Sequence, residues 1–229
     1  MNDISLYDAF SECLFAEQEY VHVEHHASYC VKKAWGTLTL LFQKSNGKED
    51  WLNNFDFLPK ISNSPFGTCC SALKAVPQKP YKDCQWKCHR GFLRVWKAIE
   101  PYIAADVRDP AIRQIRIVGY SHGAAVALLC HEYVRFHRPD VYVQGYGFGA
   151  PRVIWGRVPQ TLRDRLNGFF VIRNAGDLVT HVPPRCVGFR DVGTLIELHT
   201  RKSNGRIQDH TPEAYMRALS PQENGAPFI

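Results

Sequence analysis

The chain has 229 residues, 45% of them hydrophobic and 22% charged, a globular balance that excludes disordered, collagen-like and coiled-coil classes. Its formal net charge of +6 is not gathered into a block of five or more like charges, so nucleic acid is not an expected partner. No stretch free of ionisable residues reaches the ~20 positions of a membrane span.

The start of the chain, MNDISLYDAF, puts Asp3 and Asp8 where a secretion signal would carry a basic segment and an apolar run, so a cytoplasmic location is expected. Eight cysteines then read as free thiols, and adjacent Cys69 and Cys70 suit each other poorly as a pair. Leu6, Phe10, Cys13 and Leu14 recur at helical spacing, which predicts a helix over residues 5–27 within an N-terminal helical segment, 1–33. The run AWGTLTLLFQ, 34–43, predicts a buried strand. Residues 62–83, rich in Pro and Ser, predict a long irregular excursion, and loops of that length are uncommon unless functional.

Beyond it, helix and strand patterns alternate. A helix is expected over 91–107, a strand over 112–120, a helix over 124–137, a strand over 141–149, a short helix over 158–168 and a strand over 169–174. Two short strands should follow near 187–193 and 194–200, then a last helix opened by Thr211-Pro212-Glu213. This alternation predicts one α/β domain spanning 1–229 with a mostly parallel sheet, and residues 220–229 read as a mobile tail.

The strongest chemical signal is Gly119-Tyr120-Ser121-His122-Gly123, a G-x-S-x-G placed where a predicted strand meets a helix of small residues. Glycines on both sides permit a sharp turn that projects the Ser121 hydroxyl above the sheet, while the helix aims its N-terminus at a developing oxyanion. Serine needs a base, and the base needs an orienting acid. Asp177 follows the strand FFVIRN in the loop Asn174-Ala175-Gly176-Asp177, with Asp191 and Asp209 as neighbouring acids. The downstream bases are His181, His199 and His210. His181 is only four residues from Asp177 and His199 falls in a strand-like run, whereas His210 sits in a loop before a helix, which favours it.

These motifs resemble the class 3 lipases, the fungal-type triacylglycerol lipases and their bacterial relatives, over roughly residues 35–219. The nucleophile motif is similar to GYSHGAAVA at 119–127. An F-R-G-S/T segment followed by Trp is matched by Phe42-Gln43-Lys44-Ser45 and Trp51, H-x-G-F by His89 to Phe92, G-x-P-R-V by Gly149 to Val153, and the acid loop ending in Pro-Pro by Asn174 to Pro184. A final histidine followed by a tyrosine is matched by His210 and Tyr215.

The resemblance implies an α/β-hydrolase fold, a mostly parallel central sheet flanked by helices. It also implies Ser121 as nucleophile, Asp177 as acid and His210 as base, with an oxyanion hole from Ser45 and the His122 amide. Residues 46–59 would form a lid, with Trp51, Leu52, Phe55 and Leu58 as its substrate-facing side. Two departures stand out: Gln43-Lys44 replaces the family's Arg-Gly, and Ala124 replaces its second glycine. The expected activity is carboxylic ester hydrolysis, most readily of lipids, with transient lipid-surface contact and no cofactor. A phospholipase or non-lipid esterase on the same triad, and a catalytically silent scaffold, are the alternatives. Two further clusters, His22/Glu24/His25/His26 and Cys84/Cys88/His89, lack a full ligand set, so no metal is expected.

Overall fold

The computed structural model describes residues 4–16, 19–43, 61–63, 86–198 and 207–220. Helix α1 (Leu6–Phe15) is capped by Ser5, whose side chain accepts from the Asp8 amide. It ends well before residue 27. Strands β1 (Val21–Val23) and β2 (Ala27–Ala34) follow, and β2 turns at Trp35-Gly36 into β3 (Thr37–Phe42). The expected helical segment 1–33 is therefore corrected: apolar helical spacing stops at Leu14, and Val21, Val23 and Val31 are β-branched residues suited to a pleated surface. The expected single strand over 34–43 is the second arm of this antiparallel hairpin.

After β4 (Ile61–Asn63) and β5 (Lys87–His89), helix α2 (Arg90–Arg108) buries Phe92, Val95, Trp96, Ile99, Ile103 and Val107 along one face. Strand β6 (Gln114–Tyr120), helix α3 (His122–His137) and strand β7 (Tyr142–Phe148) come next. They are followed by β8 (Ile154–Trp155), α4 (Gln160–Arg165), β9 (Phe169–Asn174), β10 (Phe189–Arg190), β11 (Thr194–Leu198) and α5 (Pro212–Leu219).

Among the described residues the main sheet has seven strands, in the order β1-β2-β3-β6-β7-β9-β11. All pairings from β3 to β11 are parallel, whereas β1, β2 and β3 pair antiparallel. This is the α/β-hydrolase type of architecture. Because β6 is central, both its faces are buried. Ile115 and Ile117 join the core under α2 and α3, while Val118 and Tyr120 join the opposite core under α1 and α5.

A small antiparallel sheet, β10-β8-β5-β4, lies outside the main one. Its strands span two or three residues, too few for a periodic signal, so its formation is a finding rather than an expectation. The segment expected as a strand near 187–193 supplies β10. Most of the expected excursion over 62–83 and the tail 220–229 lie outside the described residues.

Candidate active site

Parallel strands run so that β6, β7 and β9 release the chain at one edge of the sheet, the edge where open α/β sheets place their ligands. Ser121 leaves β6 with φ 58 and ψ −123, a left-handed conformation rare for a side-chain-bearing residue. The turn closes because Gly119 and Gly123 carry no side chain. A Cβ at Gly119 would lie 2.3 Å from the Gly123 carbonyl oxygen, and one at Gly123 would lie 2.2 Å from that of Phe42. The first turn of α3 thus presses on the end of β3.

Three of the expected residues meet in one hydrogen-bonded chain. Ser121 Oγ is 2.8 Å from His210 Nε2, and His210 Nδ1 is 2.8 Å from Asp177 Oδ2. Since a carboxylate only accepts, Nδ1 carries the ring proton and Nε2 is left to accept from the serine. All three side chains are buried. Asp177 is fixed from its other side: Oδ1 accepts from the Val179 amide at 2.9 Å, and Thr180 Oγ1 donates to the Asp177 carbonyl.

Further groups support this chain that sequence reasoning gave no role. Tyr215 donates from its hydroxyl to Asp177 Oδ2 at 2.6 Å and accepts from the Asn174 amide at 3.1 Å. Burial, followed by the neighbouring Asp177 charge, raises the Tyr215 pKa, so the phenol stays a donor. Tyr120 donates to the His210 carbonyl, and its ring stacks on the imidazole at 5.4 Å. The Asn174 side chain donates to the Asp209 carbonyl, tying the acid loop to the base loop. Gly149, at φ +61, leaves room for the imidazole, since a Cβ there would lie 2.8 Å from His210 Cε1. The signals available were the aromatic residue inside the elbow and the spacing from His210 to Tyr215.

The other candidates go elsewhere. Asp191 is engaged by Arg152 and Arg185, Asp209 offers its carbonyl to Asn174, and His181 is solvent-exposed. His199 lies outside the described residues. His122 opens α3, so its amide has no acceptor within the helix. Its ring packs edge-on to Phe92, and burial, then the proximity of His89, pushes its pKa down to about 4, keeping it neutral near pH 7. Ser45 and the segment 46–59, with Trp51, Leu52, Phe55 and Leu58, lie outside the described residues.

Of the two clusters considered for metal, His22 Nδ1 is hydrogen-bonded to Ser28, and His89 caps α2 by accepting from the Gly91 amide. Cys84 lies outside the described residues. Among the described residues no group of three His, Cys, Asp or Glu side chains could hold a metal ion.

A serine on a strained strand-to-helix turn, facing a histidine oriented by an acid, within a mostly parallel sheet, defines the class of α/β-hydrolases. Within that class the sequence profile described as "Lipase (class 3)" matches residues 39–187, and the chain belongs to this family. It is 26% identical over 155 residues to a protein of Malassezia restricta named secreted mono- and diacylglycerol lipase LIP2, an alignment covering 64% of this chain and 49% of that protein. It is likewise 26% identical over 200 residues to a protein of Oryza sativa subsp. japonica named phospholipase A1-II 4, covering 75% and 47%. The chain thus spans about half the length of these curated relatives. The solved triacylglyceride lipase of Rhizomucor miehei superposes with a TM-score of 0.61 at 21% identity, covering 78% of this chain and 64% of that one.

Proposed function

We propose that this chain is a serine hydrolase that cleaves carboxylic ester bonds of lipids through an acyl-serine intermediate. The observation that carries the reading is the uninterrupted relay from Ser121 through His210 to Asp177, with both links at 2.8 Å. In this reading His210 Nε2 takes the Ser121 proton as Oγ attacks the ester carbonyl. The tetrahedral oxyanion forms in front of the α3 N-terminus, where the His122 amide donates to it. His210 returns the proton to the departing alcohol, breaking the ester bond and leaving an acyl-serine. Water, deprotonated by the same imidazole, then releases the acid. Asp177 holds the productive tautomer and stabilises the imidazolium without itself being protonated.

The second oxyanion donor in this proposal is Ser45. Its support is that β3 ends at Phe42 against Gly123, so the chain leaves β3 beside the first turn of α3, three residues before Ser45. Residues 46–59 are proposed as a cover whose Trp51, Leu52, Phe55 and Leu58 face the acyl chain or a lipid surface, resting on their spacing alone. Trp51→Ser should lose activity on micellar substrate while keeping it on a monomeric short-chain ester. Equal losses on both would remove the cover from the account.

We take residues 1–229 as one hydrolase domain. No helix among the described residues is long and apolar enough to cross a membrane. A reducing, cytoplasmic setting is proposed, in keeping with free thiols at the described cysteines, Cys13, Cys30, Cys88 and Cys130 buried and Cys186 exposed. Non-reducing mass spectrometry showing oxidised cysteines would overturn it. The activity itself is tested with a panel of esters of graded acyl length bearing neutral and phosphorylated head groups. Cleavage by the wild type and none by Ser121→Ala supports the proposal, and equal rates for the two would refute it.

A further inference from the structure

A second polar feature lies beside the acid loop and takes no part in the relay. Arg152, Arg173, Arg185 and Arg190 line a cavity of about 70 Å³ floored by Leu128 and Val171. Among the described residues Asp191 is the only acid on its wall, which leaves three positive charges uncompensated by them. Glu197, the cross-strand neighbour of Arg173, approaches its guanidinium at 3.5 Å and lowers that surplus to two.

We infer that this cavity is an oxyanion-binding site, fitted to a phosphate group carried by a small molecule or by a lipid head group. The four arginines are not equivalent. Arg152 is satisfied internally: its Nε donates to Asp191 at 2.7 Å, and its Nη1 donates to the His181 and Pro183 carbonyls. Arg185 also spends its Nε on Asp191. Arg173, by contrast, has a buried Nε with no hydrogen-bond partner among the described residues, a costly state for a group that must donate. Arg190 is exposed on the two-residue strand β10, where its backbone pairs with Ile154, and its guanidinium makes no hydrogen bond or ion pair to any described residue.

Two guanidinium groups with donors to spare, on walls of one small cavity, match the way planar guanidinium forks grip phosphate oxygens. The volume suits this, since a cavity of such size holds only a few waters and a tetrahedral oxyanion is of that scale. A wider cleft of about 320 Å³ shares Asp191, Val192 and Gly193 as its wall and is lined further by Gln160, Arg163, Asp164 and Asn167, leaving space for the uncharged remainder of a phosphorylated ligand. The local field agrees: partial burial of the ring first, and then Arg173 and Arg152, outweigh Asp177 and Asp191 and pull the His181 pKa below its ordinary value.

The site would also be coupled to the relay. Arg152 clamps the carbonyls of His181 and Pro183, which belong to the same loop as Asp177, so an anion that orders the arginines would stiffen the segment that positions the acid.

The test is a calorimetric titration of the full chain with inorganic phosphate and with glycerol 3-phosphate at low ionic strength, using wild type and Ser121→Ala. Saturable binding at one site per chain is expected in both, with uncharged glycerol inert. Arg190→Gln and Arg173→Gln should each weaken it by about tenfold, the cost of one charge-assisted hydrogen bond. Arg190→Gln lies at an exposed position, so it reads the site even if Arg173→Gln unfolds. Phosphatidylcholine vesicles with and without phosphatidic acid distinguish the sources. Retention on the acidic vesicles, reversed by inorganic phosphate, assigns a lipid head group. Phosphate binding without vesicle retention assigns a soluble phosphate monoester. No saturable binding, or binding unchanged in Arg190→Gln, overturns the inference. Because binding is read without turnover, its failure is separate from failure of the hydrolase reading.

Discussion

Helix α3 carries two buried polar clusters that look alike by burial and differ in what they can do. At its N-terminus, Ser121 meets His210 and Asp177. Eleven residues further along the chain, about 16 Å along the helix axis, the buried Glu132 carboxylate accepts from Arg165 Nε through both oxygens, at 2.9 and 2.7 Å, with Trp86 as a further hydrogen-bond partner and the fully buried His131 alongside. In the second cluster burial raises the Glu132 pKa, against the opposing pull of Arg165 and Trp86. Yet it is a closed cluster, in which Arg165 and Trp86 satisfy the carboxylate, and among the described residues it holds no hydroxyl to activate and no strained backbone. The first cluster is an open relay ending on a hydroxyl at the edge of the sheet. Burial marks both sites, and only directional proton-transfer geometry separates chemistry from scaffolding.

The sharpest way to break this comparison is to disable each cluster in turn. Asp177→Asn should lower kcat by about 10⁴ with little change in melting temperature, because the wrong tautomer is then held. Tyr215→Phe, which removes one of three hydrogen bonds to the same carboxylate, should cost about ten- to a hundredfold in kcat and leave KM nearly unchanged. A loss confined to stability would make Tyr215 a packing residue only. Arg165→Ala should do the reverse, removing about 3–5 kcal/mol of stability by stranding a buried carboxylate while the folded fraction keeps its kcat. Urea unfolding and steady-state kinetics on the same samples check all three.

A smaller effect sharpens the contrast through pH. Burial pushes His131 down to about 3, well below its value in an unfolded chain, so between about pH 6.5 and 3 the unfolded state binds a proton that the native state refuses. Stability is therefore present in full above about pH 6.5 and falls as the solution is acidified, by a few kcal/mol in order of magnitude. His131→Leu should flatten that slope between pH 7 and 4 in thermal melts. An unchanged slope would mean that other groups govern acid lability.

Much of this arrangement was legible in the sequence because it is written in local chemistry. The elbow glycines, the acid loop after β9 and the histidine ahead of Thr211-Pro212 each occupy positions that their backbone roles require. The helix–strand alternation from Arg90 onward was equally plain, since long amphipathic runs such as Phe92 to Val107 declare their period. The hairpin β2–β3 was not, because Ala27 to Ala34 mixes lysines with apolar residues and its pairing is decided by Leu38 to Phe42 across the turn. The small second sheet was hidden because two-residue strands have no period at all. Tyr215 stood in a recognisable place, but its hydrogen bond to Asp177 spans 38 residues of sequence and depends on α5 docking under the main sheet. The arginine cavity is assembled from Arg152, Arg173, Arg185 and Arg190, distant in sequence, and a net charge of +6 does not reveal where the surplus gathers.

The central claim is that Ser121 is a nucleophile activated by His210. It is tested most directly by treating the protein with a fluorophosphonate and locating the adduct by intact-mass and peptide mass spectrometry. The account predicts one phosphonyl group per chain, on Ser121, with labelling slowed by at least about a thousandfold in His210→Ala. Labelling at another residue, or a rate at Ser121 unaffected by loss of His210, would contradict it.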